Sequence, residues 1–357
     1  MFFDNALKAA LSQQKLHLIL LPTEKCNFRC TYCYEDFALG RMPLAVINGV
    51  KRLITNRIPV LSTFDLSWFG GEPLLAKDIM LNIGTYAHEL CRRQGVGFSA
   101  NTTTNGYGLT EELFSQLLDI SHTEFQITLD GDEEWHDKTR VRANGGSTFA
   151  KIWENLHGCR RTEREFLITL RLHVHEDNVE SMKRLHGRLK DEFLGDSRFV
   201  AYFHKVSNLG GPRPVSAKVL KRKEYLEALD YITDGRSRLS APASGISEEH
   251  IEGYICYAAR PNSLVIRANG RVGKCTVALQ DERNDIGRIN EDGTLDINNE
   301  KLRLWFEGYV ELSPSALGCP ATALRDWKGG SSQVSFISPS EIGRPKVDAV
   351  PESVVVV

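Results

Sequence analysis

The chain has 357 residues, 41% of them hydrophobic and 25% charged, an ordinary globular composition at a length that buries a sizeable core. Lysine and arginine total 44 against 46 acidic residues, a net charge of −2, which removes the electrostatic ground for a nucleic-acid or membrane-surface partner. No apolar run approaches the roughly 18–20 residues that span a bilayer, and the N-terminus, with Asp4 and no basic region or small-residue cleavage site, does not read as a signal peptide. The expectation is a cytoplasmic protein whose eight cysteines serve as metal ligands or redox groups rather than disulfides.

After an N-terminal segment, 1–15, short apolar runs alternate with helical patterns. Leu16–Leu21 reads as a strand, followed by a helix near Leu44–Thr55. Phe64–Phe69 is a second strand, with a helix over Ala76–Arg93. Val96–Asn101 precedes a helix at Glu111–Leu118, and Glu124–Leu129 precedes one at Thr148–Arg161. Phe166–His175, the helix Asn178–Lys190 and the strand Arg198–Val206 complete the series. Such alternation implies βαβ crossovers and a parallel sheet. Six units are too few for a closed eightfold barrel, so the expected fold is α/β, an open partial (β/α)6 barrel of the TIM type over 16–206. Its active site belongs at the C-terminal ends of the strands. A bridge, 207–255, holds a loop at Asn208–Pro214, a helix at Lys218–Thr233 and a polar stretch at Gly235–Ser247. It leads to a smaller domain, 256–328, where Ser263–Arg267 and Arg271–Cys275 flank an Asn269–Gly270 hairpin turn. Residues 329–357 carry no period and read as a flexible tail.

Directly after the first strand comes Cys26-Asn27-Phe28-Arg29-Cys30-Thr31-Tyr32-Cys33. A loop this short can bring three thiolates onto one face of a cubane cluster, leaving the fourth iron without a protein ligand. A zinc site would ordinarily ask for four ligands, often as two C-x2-C pairs. The C-x3-C-x2-C spacing with an aromatic before the last cysteine resembles the signature of the radical S-adenosylmethionine (SAM) superfamily. The resemblance implies that Cys26, Cys30 and Cys33 bind a [4Fe–4S] cluster and that SAM chelates its open iron. One electron then splits the sulfonium bond to give a 5′-deoxyadenosyl radical that abstracts hydrogen from an unactivated C–H bond. It also implies that Tyr32 lies beside the adenine.

Further motifs sit at the other strand ends. Gly70-Gly71-Glu72-Pro73 is similar to the family's GGEP motif, which holds the SAM amino group; glycines admit close backbone approach to a ligand, and a carboxylate can accept from an ammonium. Asn105, in Thr103-Thr104-Asn105-Gly106, and Thr128 and Asp130, in Thr128-Leu129-Asp130-Gly131, suit ribose hydroxyls and the methionyl carboxylate. They suit tight turns equally well, and Asp130 could instead face the substrate. His136-Asp137 through Arg140, followed by Ser147-Thr148-Phe149, resembles an HD-x2-R…GTF segment of peptide-modifying members. It nominates Arg140, then Arg142, for the SAM carboxylate, with His136 a local hydrogen-bonding residue. His173 and His175 share a strand face and read as ordinary strand histidines, and Cys91 and Cys159 as buried thiols.

Cys256, thirteen residues, Gly270, four residues and Cys275 resemble the start of the auxiliary-cluster extension called SPASM, or its truncated form, twitch. Of the cysteines that normally follow, only Cys319 is present, ahead of Trp327 and Gly329-Gly330. One auxiliary Fe–S cluster on Cys256, Cys275 and Cys319, with its fourth position open or filled by another group, is expected. The combination implies a maturase of ribosomally made (RiPP) precursor peptides that forms intramolecular crosslinks, cyclophanes or thioethers, with flavodoxin or ferredoxin as electron donor. The alternatives are an anaerobic sulfatase-maturating, formylglycine-generating enzyme and, in another class, a non-catalytic Fe–S or zinc-binding module.

Overall fold

The computed structural model describes residues 2–207, 209, 219–235 and 254–326. Residues 208, 210–218 and 236–253 of the expected bridge lie outside the described residues, as do Trp327, Gly329-Gly330 and the tail. Six strands, β1 (Lys15–Leu20), β2 (Thr63–Trp68), β3 (Gly97–Thr104), β4 (His122–Leu129), β5 (Leu167–Val174) and β6 (Phe199–Lys205), lie side by side in sequence order and pair in parallel. Between them run α2 (Leu44–Arg57), α3 (Lys77–Gln94), α4 (Glu111–Asp119), α5 (Glu133–Thr139) with α6 (Phe149–Arg160), and α7 (Val179–Glu192). This is the open (β/α)6 array expected. The N-terminal segment forms α1 (Phe2–Ala10), and the bridge helix, α8, runs over Arg222–Ile232.

Alternation along the strands builds the core. Leu16, Leu18 and Leu20 of β1 and Ile168, Leu170, Leu172 and Val174 of β5 are buried in one apolar cluster with helix residues such as Val50, Ile83, Leu117 and Leu185. The opposite faces of the strands carry His17, Asp65, Ser67, Thr128, Arg171 and His173, with a smaller apolar cluster of Ile19, Leu21, Val265 and Leu279 at β1 and its neighbours, and they line the barrel interior.

The hairpin of the expected extension joins this sheet instead of forming its own. β7 (Ser263–Ile266) pairs in parallel with β1, and β8 (Arg271–Gly273), β9 (Gly287–Ile289) and β10 (Leu295–Ile297) follow antiparallel, making ten strands in the order β10-β9-β8-β7-β1-β2-β3-β4-β5-β6. Three short helices, α9 (Asn299–Leu304), α10 (Pro314–Gly318) and α11 (Pro320–Asp326), close the described chain. Among the described residues no helix is long and apolar enough to cross a membrane.

Candidate active site

The cysteine segment leaves β1 at its C-terminal end, and two neighbouring connections hold it in place. On one side, Arg29 and Thr31 N–H donate to the Val141 and Thr139 carbonyls at 2.8 and 2.9 Å, and Ala143 N–H donates to the Asn27 carbonyl at 2.7 Å. On the other, Glu72 N–H donates to the Lys25 carbonyl at 3.0 Å. Here Gly70 and Gly71 find a physical reason that the sequence did not suggest. A Cβ on Gly70, at φ +117°, would lie 2.3 Å from the Thr23 carbonyl oxygen, and one on Gly71 2.6 Å from that of Lys25. The close approach they permit is to the backbone of the cysteine loop itself.

Cys30 is buried and Cys26 and Cys33 half-buried, all three as free thiols. Burial first pushes Cys33 up to about 11 and Cys26 higher still, the Glu72 carboxylate adding to Cys26 and the neighbouring thiols to both, so the three sulfurs feel one another; a metal that binds them displaces their protons. Among the described residues no three His, Cys, Asp or Glu side chains converge to chelate a single ion. A lone zinc needs its donors gathered about one point, whereas a cubane takes each thiolate on a different iron. Three grouped thiols fit such a cluster with one iron left to another ligand.

Beside the thiols lies a buried polar network. Tyr32 Oη donates to the Asp130 carboxylate, 2.8 and 2.7 Å from its two oxygens, and accepts from Arg140 Nη1 at 2.7 Å. His173 Nδ1 stands 3.1 Å from the same hydroxyl and 3.5 Å from Asp130 Oδ1. Burial opposes charge on Asp130, but the hydrogen bond from His173 and the Arg140 guanidinium hold its carboxyl well below the usual range. Burial lowers His173 to about 4. Arg140 Nε and His173 Nε2 are buried with no partner.

Glu72 is enclosed, at 1% exposure. Its Oε1 accepts from Leu74 N–H at 3.0 Å and Thr104 Oγ1 at 2.7 Å, and its Oε2 from Asn105 N–H at 2.7 Å. Glu72 therefore ties the end of β2 to that of β3 while Pro73 opens a short 3-10 turn, Pro73–Ala76. Asn105 reaches on to the cysteine loop, its Nδ2 donating to Asn27 Oδ1 at 2.8 Å. Thr128 is buried at the end of β4, in register with Arg171.

His136 accepts from Asp130 N–H at 3.3 Å through Nδ1, the local role expected. Asp137 Oδ1 accepts from Thr148 and Phe149 N–H at 2.8 and 2.9 Å, capping α6 across the loop and explaining why an acidic residue stands ahead of a Thr-Phe pair. Arg142 lies over the Tyr107 ring at 5.1 Å, and His175 packs against Trp135 at 5.3 Å. Cys91 and Cys159 are fully buried in α3 and α6. Sequence reasoning missed His173 as part of this network; its only signal was two histidines on one strand face.

The C-terminal cysteines also come together. Burial raises Cys256 to about 11, with Cys275 and Cys319 adding to it. Cys256 N–H donates to the Leu317 carbonyl at 2.9 Å, which ties it to α10 and so to Cys319 at the end of that helix. Asn284 Oδ1 accepts from the N–H groups of Lys274 and Cys275 at 2.8 and 2.9 Å. Tyr34 spans the two thiol groups: it follows Cys33 directly, its electrostatic neighbours include both Cys33 and Cys275, and its Oη donates to the Thr276 carbonyl at 3.2 Å.

Residues 20–186 match the family model described as the radical SAM superfamily. Over 232 residues the chain is 25% identical to a cysteine-type anaerobic sulfatase-maturating enzyme of Clostridium novyi, covering 62% of this chain and 59% of that protein. Over 239 residues it is 23% identical to an Fe-coproporphyrin III synthase of Methanosarcina barkeri, covering 66% and 56%. The chain thus spans less than three-fifths of the length of these curated relatives. Among solved structures it resembles native anSMEcpe with bound AdoMet and Kp18Cys peptide (TM-score 0.60, 20% identity, 82% of this chain and 84% of that one). It also resembles Streptococcus suis SuiB bound to precursor peptide SuiA (TM-score 0.53, 15% identity, 88% and 69%). At these identities the structural likeness establishes the fold. With its cysteine loop and its open barrel, the matched core over 20–186 is a radical SAM domain.

Proposed function

We propose that this chain reductively cleaves SAM at a [4Fe–4S] cluster held by Cys26, Cys30 and Cys33 and abstracts hydrogen from a side chain of a ribosomally made precursor peptide, closing an intramolecular carbon–carbon or thioether crosslink. The observation that carries the reading is three grouped thiols at the C-terminal mouth of an open barrel, beside a buried arginine with an unused donor. Bound there, the cluster and SAM supply a radical able to take hydrogen from an unactivated C–H bond. In this reading Arg140 pairs with the SAM carboxylate, and the Gly70–Pro73 segment and Glu72 take its amino group. Asn105 and Thr128 meet the ribose or carboxylate, Tyr32 flanks the adenine, and Asp130 holds Tyr32 and His173 in orientation. An auxiliary Fe–S cluster on Cys256, Cys275 and Cys319 and a flavodoxin or ferredoxin donor belong to the same proposal. Its support for a peptide substrate is the likeness to SuiB, described with its precursor peptide.

Formylglycine formation on a sulfatase is the second reading, favoured by the Clostridium novyi relative and by anSMEcpe. Anaerobic reconstitution followed by dithionite and SAM tests the shared part: 5′-deoxyadenosine is expected from the wild type and none from the Cys26/Cys30/Cys33→Ala variant. A protein that holds iron or zinc yet releases no 5′-deoxyadenosine is a binding module. Mass spectrometry then separates the two enzymatic readings. A neighbouring small reading-frame product that loses two hydrogens while a sulfatase peptide stays unchanged supports crosslinking, and the converse supports sulfatase maturation.

A further inference from the structure

Arg171 stands inside the barrel, and among the described residues it has no counterion. On β5 the even positions Ile168, Leu170, Leu172 and Val174 pack into the core, which turns Arg171 and His173 to the interior. Arg171 is in register with Thr128 on β4 and Tyr202 on β6, and His173 with His204. Its strongest electrostatic neighbours are Tyr202, Tyr34, Tyr32 and Arg140, and His173, His204 and Tyr225 also feel its charge: phenols, imidazoles and a second cation, with no carboxylate among them. Among the described residues it forms no ion pair, and its Nε is buried with no hydrogen-bond partner. Arg267, which is buried, is by contrast matched by Glu24 at 2.7 Å. A largely enclosed guanidinium left unpaired is costly, and among the described residues no carboxylate compensates it.

We propose that Arg171 anchors a carboxylate of the substrate, supplied by an acidic side chain or by the C-terminus of the peptide; the assignment rests on the peptide reading above. One planar guanidinium with free N–H groups matches one carboxylate bidentately. His173 Nε2, one interior step toward the C-terminal end of β5, is likewise buried and unpartnered, and the His204 ring stands 5.8 Å from the His173 ring. Arg171, His173 and His204 thus form a polar wall beneath the network around Tyr32. The SAM carboxylate is not the anion in question. In the reading above it pairs with Arg140, the arginine whose charge the thiols Cys30 and Cys33 feel, whereas the strongest neighbours of Arg171 are Tyr202, Tyr34, Tyr32 and Arg140 itself.

The test is fluorescence anisotropy on the anaerobically reconstituted, SAM-loaded protein with three labelled pentapeptide pools: central Glu with blocked ends, central Gln with blocked ends, and central Gln with a free C-terminal carboxylate. A carboxylate-bearing pool is expected to bind about tenfold or more tightly than the blocked Gln pool, the size of one charge-assisted bond. Whichever acidic pool wins identifies the source. Arg171→Gln should erase that preference and leave SAM affinity within about twofold of wild type, the margin that separates no change from the tenfold loss of one such bond. Without ligand, Arg171→Met should melt at or above the wild-type temperature, because an unpaired, largely enclosed charge has been removed. The proposal is overturned by equal binding of all three pools to the wild type, by a preference that survives Arg171→Gln, by a matching loss of SAM affinity, or by a lower melting temperature for Arg171→Met. Absence of 5′-deoxyadenosine from the wild type would instead sink the catalytic reading, since the binding comparison needs no turnover.

Discussion

A buried carboxylate with three donors aimed at it has no isosteric substitute. Glu72 accepts from Leu74, Thr104 and Asn105, and a glutamine would turn an NH2 toward at least one of those donors. Glu72→Gln is therefore expected to destabilise the protein by about 1–3 kcal/mol, read from the urea midpoint under anaerobic conditions. Histidines set the pH dependence. Burial, the dominant cause in each case, lowers His17, His136 and His173 to about 4 and His122 to about 3. Between those values and the ordinary 6.5 the unfolded chain binds protons that the folded chain refuses, so the histidine contribution to stability is full above about pH 6.5 and falls as the pH drops toward 4. The slope is about 1.4 kcal/mol per pH unit for each such histidine. His122, bonded to Thr102 Oγ1 at 2.7 Å and stacked on Phe125, is the cleanest single contributor. His122→Gln should flatten the urea-midpoint profile between pH 6.5 and 4; an unchanged slope would contradict the assignment.

At the scale of elements, β2 ends on two glycines because the cysteine loop lies against them. Alanine at Gly70 is strained twice, by φ +117° and by a carbonyl 2.3 Å from the new Cβ; at Gly71 only the clash operates. Both variants are expected to keep far-UV helix content and lose iron incorporation, Gly70→Ala more severely, with iron and sulfide analysis after reconstitution as the check. The elements were legible where the hydrophobic period was strong. The expected strands and helices of the barrel fall within a few residues of the observed ones, as Leu16–Leu21 against Lys15–Leu20 shows. The period does not reach β9 and β10, three residues each, nor α5, whose seven residues are mostly polar and are fixed by the Asp132 cap. The cysteine spacing was legible because cluster chemistry constrains sequence neighbours. The Tyr32–Asp130–Arg140–His173 network and the unpaired Arg171 were not, because each joins residues from three or more distant segments that only the parallel register brings together.

The strands of the described residues form one ten-stranded sheet, and the seam between its halves carries a charge pair. At the ends of β1 and β7, Arg267 Nε and Nη2 donate to Glu24 Oε1 and Oε2 at 3.0 and 2.7 Å, and Nη1 donates to the Leu279 carbonyl at 2.7 Å. Glu24 opens the loop that leads to Cys26, while Arg267 belongs to the hairpin that leads to Cys275, so this pair sets the two thiol groups relative to each other. Burial, then the neighbouring Glu24 charge, pushes the adjacent Glu35 up to about 8, so Arg267 is needed at the seam to balance acid as well as to bind it. Removing either partner leaves a buried charge unmatched: Glu24→Gln and Arg267→Met are each expected to cost about 3–5 kcal/mol. The double Glu24→Met/Arg267→Met variant removes both charges and should cost far less than the sum, chiefly the one bond to Leu279. A double-mutant cycle on urea midpoints reads this coupling. If the two single losses simply add, the pair does not join the halves, and the relative placement of the two cysteine groups must rest on the β1–β7 ladder alone.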